Sequence, residues 1–366
     1  MPAHQQKDHF LTLDGLRGVA ATVIVAFHAR YLIWPGIEQA RPWLAVDFFF
    51  CLSGFVLAHA YAGRLANDMT IGDFIRLRLR RLGPLFILGM SLGLIAMVLQ
   101  SVFGKDQNRP LAQQALIGIV GLIGLPAPPL FGTDRELYPL NGPAWSLMLE
   151  CLANIGMAVV WRYGWDTTVR ILTWLAAALI ALIAVALTYQ QMNEGWNWDS
   201  LIAGPIRIGW SFPLGVLLYR LHCSGRINRI ALPAPVLMLA TVVLLCVPAP
   251  RAFAISLELF AAILAFPVIV FLGAQAHSGP GLRKVEEWLG TTSYALYITH
   301  FPLHLLYGSI LSLFVTPQAP WAGLPLLFVV HAFAFVAYRF YDVPVRAWLN
   351  GRVARNRPPS ARIKQT

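Results

Sequence analysis

An arginine and a histidine share one face of an apolar stretch that runs from Leu13 to Trp34. Arg17 and His28 are eleven positions apart, so on a helix they point the same way and lie about 16 Å apart along its axis. The stretch is long enough to cross a membrane, and ionisable residues at such depth usually mark a pathway or a site. A histidine there suits a general base or a group-carrying nucleophile. The alternative is a neutral histidine that only hydrogen-bonds a neighbouring helix.

Two carboxylates in apolar surroundings are further candidates. Asp47 precedes three phenylalanines in the second apolar stretch, at a depth that predicts a pairing with His28. A helix cap near the interface is the alternative for Asp47. Glu150 follows Ser146 by four positions, which places both on one helical face with Glu150 about two turns deep. Glu150 is either half of a polar site or a protonated packing group, and Asp14 either caps the first helix or pairs with Arg17.

The segment between Ala62 and Leu82 is strongly basic. Arg78 and Arg81 stand three positions apart in it and share a helical face just before Pro84. Guanidinium groups bind phosphate oxygens bidentately, so this pair suits a polyanion. The alternative is a positive-inside topology signal without a ligand, and the two interpretations are compatible.

His300 and His304 lie four positions apart in a later apolar stretch. This spacing suits zinc, but no glutamate lies between them, no third ligand is evident and Pro302 distorts the helix. The sequence therefore predicts no metal site.

The composition favours a membrane protein. Hydrophobic residues make up 57% of the chain and charged residues 12%, whereas soluble domains have about 25% charged residues. The net charge is +11, but the basic residues lie in short turns and a tail between apolar stretches. This pattern indicates anionic lipid headgroups and membrane topology, and it argues against a nucleic-acid partner.

Membrane topology follows from the length of each apolar stretch and from charge. Leu111–Leu125 has 15 residues with three glycines, whereas a span needs about 20 residues. If it does not cross, every basic turn falls on the cytoplasmic side.

We therefore predict an all-α polytopic integral membrane protein with ten transmembrane helices plus one short re-entrant or interfacial helix, and with both termini cytoplasmic. Residues 1–345 form the membrane domain, 346–366 a basic cytoplasmic tail, and Phe103–Gly142 an extracytoplasmic region. The ten predicted spans lie near 13–34, 43–61, 83–102, 143–161, 171–189, 201–219, 230–247, 252–272, 289–315 and 321–340.

Five sequence blocks, in order, resemble the motifs of membrane acyltransferase family 3. They are Leu13–Arg17 with His28, Val46–Phe55, Arg78–Arg81, Pro143–Glu150 and Ser293–His300. Each block alone is weak, but together they span nearly the whole chain. Some family members carry an extra extracytoplasmic esterase-like domain, and this chain resembles the stand-alone version. Its closing Asp-Val-Pro, which begins at Asp342, has aspartate where glutamate is more usual in the family.

The resemblance implies an enzyme of the bacterial inner membrane. It would transfer an acyl group, commonly acetyl, from cytoplasmic acyl-CoA to a hydroxyl of an extracytoplasmic or lipid-linked carbohydrate, with no metal. His28 would either deprotonate the acceptor or first accept the acyl group. The alternative from another class is a transporter or flippase that moves a lipid-linked sugar without chemistry. The residues expected to be catalytic are His28, Asp47 and Glu150, and those expected to bind substrates are Arg17, Arg78, Arg81, Trp145, Ser146, Tyr297 and His300.

Overall fold

A computed structural model describes residues 10–29, 40–103, 109–129, 135–311 and 323–355. The regular structure of these residues is helical, and their only β-type pairs are two isolated bridges. The helices are α1 (Leu11–His28), α2 (Ala45–Asn67), α3 (Ile71–Val102), α4 (Leu111–Leu122), α5 (Ala144–Arg162), α6 (Thr168–Tyr189), α7 (Ala203–Ser224), α8 (Ala234–Cys246), α9 (Arg251–Phe260), α10 (Phe266–Gly273), α11 (Pro280–Leu311), α12 (Gly323–Val336) and α13 (Val343–Arg355). Short π-helical segments, Ala261–Ala265 and Ala337–Asp342, join α9 to α10 and α12 to α13.

Several helices are suited to cross a membrane, which confirms the all-α, multi-pass class. Among the described residues, seven segments are long and apolar enough: Leu11–His28, Pro42–Asn67, Ile71–Val102, Ala144–Arg162, Thr168–Tyr189, Ala252–Gly273 and Gly323–Gly351. The other three predicted spans correspond to α7, α8 and α11. Of these, α8 has only 13 residues, and α7 and α11 carry more polar side chains. The count of ten therefore stays a prediction.

The short apolar stretch forms a helix that is too short to cross a bilayer alone. α4 has 12 residues, or about 18 Å, against a hydrocarbon thickness of about 30 Å. It packs against α3 and ends before Gly124, whose φ of 82° lies in the left-handed region that suits glycine. The Tyr138 hydroxyl donates a hydrogen bond of 2.8 Å to the Gly124 carbonyl. The re-entrant or interfacial placement of α4 stays a prediction.

Close helix contacts bring the motif-bearing helices together. α1 packs along α11 and α2 along α7. At the second contact, a Cβ on Gly54 would overlap the carbonyl oxygen of Phe212, and one on Gly215 would overlap that of Cys51. Small residues of this kind let two helix backbones approach within the membrane.

The predicted end of the membrane domain does not coincide with the end of a helix. The predicted boundary between 345 and 346 falls inside α13, Val343–Arg355. The rest of the predicted basic tail, residues 356–366, lies outside the described residues.

The topology can be tested with single cysteines at Thr133 and Asn228, in a background without the four native cysteines. Asn228 is exposed between α7 and α8, and Thr133 lies outside the described residues. We expect an impermeant thiol reagent on intact cells to label position 133 but not 228, because the basic residues around Asn228 favour the cytoplasm. The reverse pattern, or protection of both positions, would contradict the ten-span topology.

Candidate active site

A cavity of about 630 Å³ lies between α1, α2, α3, α5 and α11. One part of its wall is apolar, with Phe49, Phe50 and Leu85 among its residues. Another part is charged and contains residues predicted from the sequence. Of the ten predicted site residues, six line this cavity: Arg17, Arg78, Arg81, Ser146, Glu150 and Tyr297.

Arg17 is fixed between α1 and α11. One of its terminal nitrogens lies 2.8 Å from Asp14 Oδ1, which confirms the predicted pairing of these two residues. Its Nε donates to Ser293 Oγ at 2.8 Å, and Nη2 donates to the Gly290 carbonyl at 2.8 Å. The guanidinium is therefore held rigidly on the cavity wall.

Glu150 joins three helices at the cavity wall. Its Oε1 accepts a hydrogen bond of 2.7 Å from Ser53 Oγ of α2, and it lies 3.5 Å from Arg78 Nη2 of α3. The side chains of Arg78 and Glu150 are 12% and 20% exposed, so each keeps some access to the cavity. Glu150 thus has both a charged partner and a hydroxyl partner.

Ser146 and Tyr297 connect α5 to α11. Their hydroxyl oxygens lie 2.7 Å apart, and both residues are buried. The ring of Phe49 meets Tyr297 edge-on, with centroids 5.5 Å apart. These three side chains line the cavity on the side from which α11 continues towards His300.

His28 and His300 form a pair one helical turn beyond Tyr297. His300 Nε2 lies 3.1 Å from His28 Nδ1. Neither histidine is among the described residues that line the cavity, and His28 is half-buried whereas His300 is buried. The structure thus brings together a histidine from the first motif block and one from the last, next to the cavity wall.

The predicted pairing of Asp47 with His28 is wrong, because Asp47 pairs with Arg207 of α7. Arg207 donates from Nη2 to Asp47 Oδ2 at 2.6 Å and from Nε to Oδ1 at 3.1 Å, and both side chains are 1% exposed. Arg207 also donates to the carbonyls of Glu194 and Trp43 at 2.8 and 3.2 Å. Its guanidinium lies 5.5 Å from the centre of the Trp145 ring, so Asp47 and Trp145 belong to this ion-pair cluster and do not line the cavity.

Sequence reasoning missed Arg207 and a second buried ion pair. Arg41 Nε donates to Glu258 Oε1 at 3.0 Å, and Glu258 Oε2 accepts from the Met192 backbone N–H at 2.6 Å. The sequence signal for such an ion pair is a lone charged residue inside an apolar stretch, because a charge in that position requires a partner. The identity of that partner was not readable from the sequence.

The cavity includes a fourth arginine that the sequence placed in the tail. Arg346 lines it together with Asp342, and their side chains pair at 2.8 Å. Among the described residues, no group of three or more histidine, cysteine, aspartate and glutamate side chains is placed to hold a metal ion.

Comparison with known proteins gives the same family as the motifs. The acyltransferase domain family matches residues 10–339. The chain is 38% identical to "Protein 2 in picA locus" of Rhizobium radiobacter over 49% of this chain and 96% of that protein. It is 22% identical to peptidoglycan O-acetyltransferase OatA of Listeria monocytogenes serovar 1/2a over 92% of this chain, but the match spans only 55% of that protein.

A third relative is acyltransferase MdmB of Streptomyces mycarofaciens, which is 26% identical over 81% of this chain and 79% of that protein. No solved structure matches the chain significantly. The family match covers most of the chain and includes all five motif blocks and the residues of the cavity except Asp342 and Arg346. The chain therefore belongs to the acyltransferase domain family, the membrane acyltransferase family 3 that its motif blocks resemble.

Proposed function

We propose that this protein transfers an acyl group, acetyl in the simplest case, from cytoplasmic acyl-CoA to a hydroxyl of an extracytoplasmic or lipid-linked carbohydrate. The observation that carries this proposal is the cavity, which collects Arg17, Arg78, Arg81, Glu150 and Tyr297 from four helices. Family membership supports acyl transfer. The name of the relative MdmB, an acyltransferase, supports acyl transfer, and that of OatA, a peptidoglycan O-acetyltransferase, supports an O-linked product.

The arginines are suited to the phosphates of coenzyme A. Arg17 and Arg78 each pair with a carboxylate. Arg81 lines the cavity and makes no hydrogen bond or ion pair with any described residue. Arg81 is exposed, and Asp342, the carboxylate that its charge acts on, is already paired with Arg346. The guanidinium of Arg81 can therefore donate charge-assisted hydrogen bonds to an anionic ligand in the cavity. We therefore assign Arg81 as the main donor anchor.

The chemistry is assigned to His28. In direct transfer, the acceptor hydroxyl gives its proton to His28 while its oxygen bonds to the acyl carbon, the carbon–sulfur bond breaks, and the CoA thiolate is reprotonated. In the alternative route, the imidazole takes the acyl group first and passes it to the acceptor. Either route requires the thioester to reach the histidine pair past Tyr297, Ser146 and Phe49, which form part of the cavity wall. The acceptor then approaches from the opposite membrane face, with both termini and the basic turns cytoplasmic.

The proposal is tested with membranes that contain the protein, incubated with acetyl-CoA labelled in the acetyl group. We expect labelled glycan and an equal amount of free CoA. A transporter or flippase would yield neither labelled glycan nor free CoA, and that result would overturn the proposal. Comparing the masses of surface glycans with and without the gene identifies the acceptor.

The donor site gives a separate prediction. Arg81→Ala is expected to raise the KM for acyl-CoA about 10-fold or more, because a hydrogen bond to a charged group contributes about 1.5–3 kcal/mol. Arg78→Ala is expected to raise this KM as well. The lysine variants should raise it less than the alanine variants, because lysine keeps the charge but loses the bidentate hydrogen bonding of the guanidinium group. The measurement is initial rate against acyl-CoA concentration.

Arg76→Ala is the matched control. Arg76 lies in the same basic part of α3, but it pairs with Asp73 and both side chains are more than half exposed. Its KM should equal that of the wild type. If Arg81→Ala and Arg78→Ala also left the KM unchanged, these arginines would serve topology alone.

A further inference from the structure

The histidine pair defines which ring nitrogen of each imidazole carries a proton. His300 Nδ1 lies 2.8 Å from the Tyr297 carbonyl oxygen and 3.1 Å from that of Leu296. Carbonyl oxygens only accept hydrogen bonds, so Nδ1 of His300 must be the protonated nitrogen. His300 is 1% exposed and contacts no carboxylate among the described residues. A buried, unpaired charge is costly, so this imidazole is neutral and its Nε2 is an acceptor.

The proton of His28 is then fixed by two independent contacts. His28 Nδ1 lies 3.1 Å from the acceptor Nε2 of His300 and 3.1 Å from the carbonyl oxygen of Ile24. Both partners can only accept, so Nδ1 of His28 carries the proton. In the neutral ring, Nε2 is therefore the nitrogen with a lone pair.

We propose that His300 is a positioning residue that holds His28 in the Nδ1–H tautomer, so that Nε2 of His28 takes the acceptor proton or the acyl group. This inference rests on the proposed function for the role of His28. The hydrogen bond from His28 to His300 persists during the reaction, because a His28 ring that has gained a proton or an acyl group at Nε2 still donates from Nδ1 to His300. In direct transfer, Nε2 accepts the hydroxyl proton and returns it to the departing sulfur.

Three variants separate this role from packing. His300→Leu removes the acceptor and is expected to lower kcat about 10²-fold, at the lower end of the usual contribution of a general base. Its KM for acyl-CoA should stay within about twofold, because His300 lies outside the arginine-lined wall. His300→Gln places an amide oxygen near the former Nε2, so its kcat should recover to within about 10-fold of the wild type.

His331→Leu is the matched control. His331 also makes a hydrogen bond to α1, since its Nε2 lies 3.1 Å from Thr22 Oγ1. Its Nδ1 lies 2.7 Å from the carbonyl oxygen of Leu327 on its own helix. It thus repeats the local geometry of His300 on α12 without touching His28. Its kcat should remain near that of the wild type. A His300→Gln variant as slow as His300→Leu, in folded protein, would overturn the acceptor role.

A direct readout needs no substrate and measures the wild-type protein. Nitrogen-15 NMR of the histidine-labelled wild-type protein, with His28→Ala to assign the signals, reports the tautomer of each ring. We expect protonated Nδ1 and unprotonated Nε2 on His28. The opposite tautomer would overturn the inference even if acyl transfer were intact. Absence of acyl transfer with the expected tautomer would instead overturn the proposed function.

Discussion

Replacing His28 by alanine is expected to lower acyl transfer by about 10²–10⁴-fold, because a positioned base contributes that much to proton transfer. The fold should survive. His28 is half-buried, and its removal takes the described hydrogen-bond partner away from His300 Nε2, a cost of about 1–3 kcal/mol. The measurement is the rate of labelled acetyl transfer per amount of protein in the membrane.

His331→Ala is the control for this experiment, since His331 also contacts α1 but lies outside the proposed site. It should keep near-normal activity and abundance. Retention of more than about half of the activity by His28→Ala would remove His28 from the mechanism. Equal losses in both variants would point to a general sensitivity of α1 packing.

The second large effect is expected at the ion pair of Asp47 and Arg207. Removing one partner of a buried ion pair costs about 3–5 kcal/mol, because the other charge stays buried and uncompensated. Asp47→Leu and Arg207→Met should each lower the thermal unfolding temperature of the purified protein and its abundance in the membrane. The double variant should regain much of this loss, because neither charge remains.

This cycle also tests the catalytic role predicted for Asp47 from the sequence. Arg76→Leu is the control, since Arg76 forms an exposed pair with Asp73 that should contribute about 0–1 kcal/mol. Loss of activity in Asp47→Leu without any loss of stability would favour catalysis over structure. A double variant less stable than either single variant would contradict the ion-pair explanation.

The sequence by itself determined the class of the protein and the local geometry of its motifs. Apolar stretches of membrane length predict spanning helices, because the bilayer leaves backbone groups no other partner than their own helix. The 12-residue α4 was already identifiable by its length deficit. Spacing of three to four residues places side chains on one helical face whatever the tertiary structure. The pairing of Asp14 with Arg17, and the shared face of Arg78 and Arg81, follow from that rule.

Only the tertiary structure decided which distant groups meet. Asp47 lies 160 positions from Arg207, and His28 lies 272 positions from His300. A soluble helix reveals its inward face by its apolar stripe, but a membrane helix is apolar on all sides, so its pattern does not fix its rotation. The sequence could therefore show that Asp47 needs a partner, because a lone charge in hydrocarbon is costly. The choice of Arg207 over His28 depended on the close packing of α2 against α7, which is a property of the assembled helices.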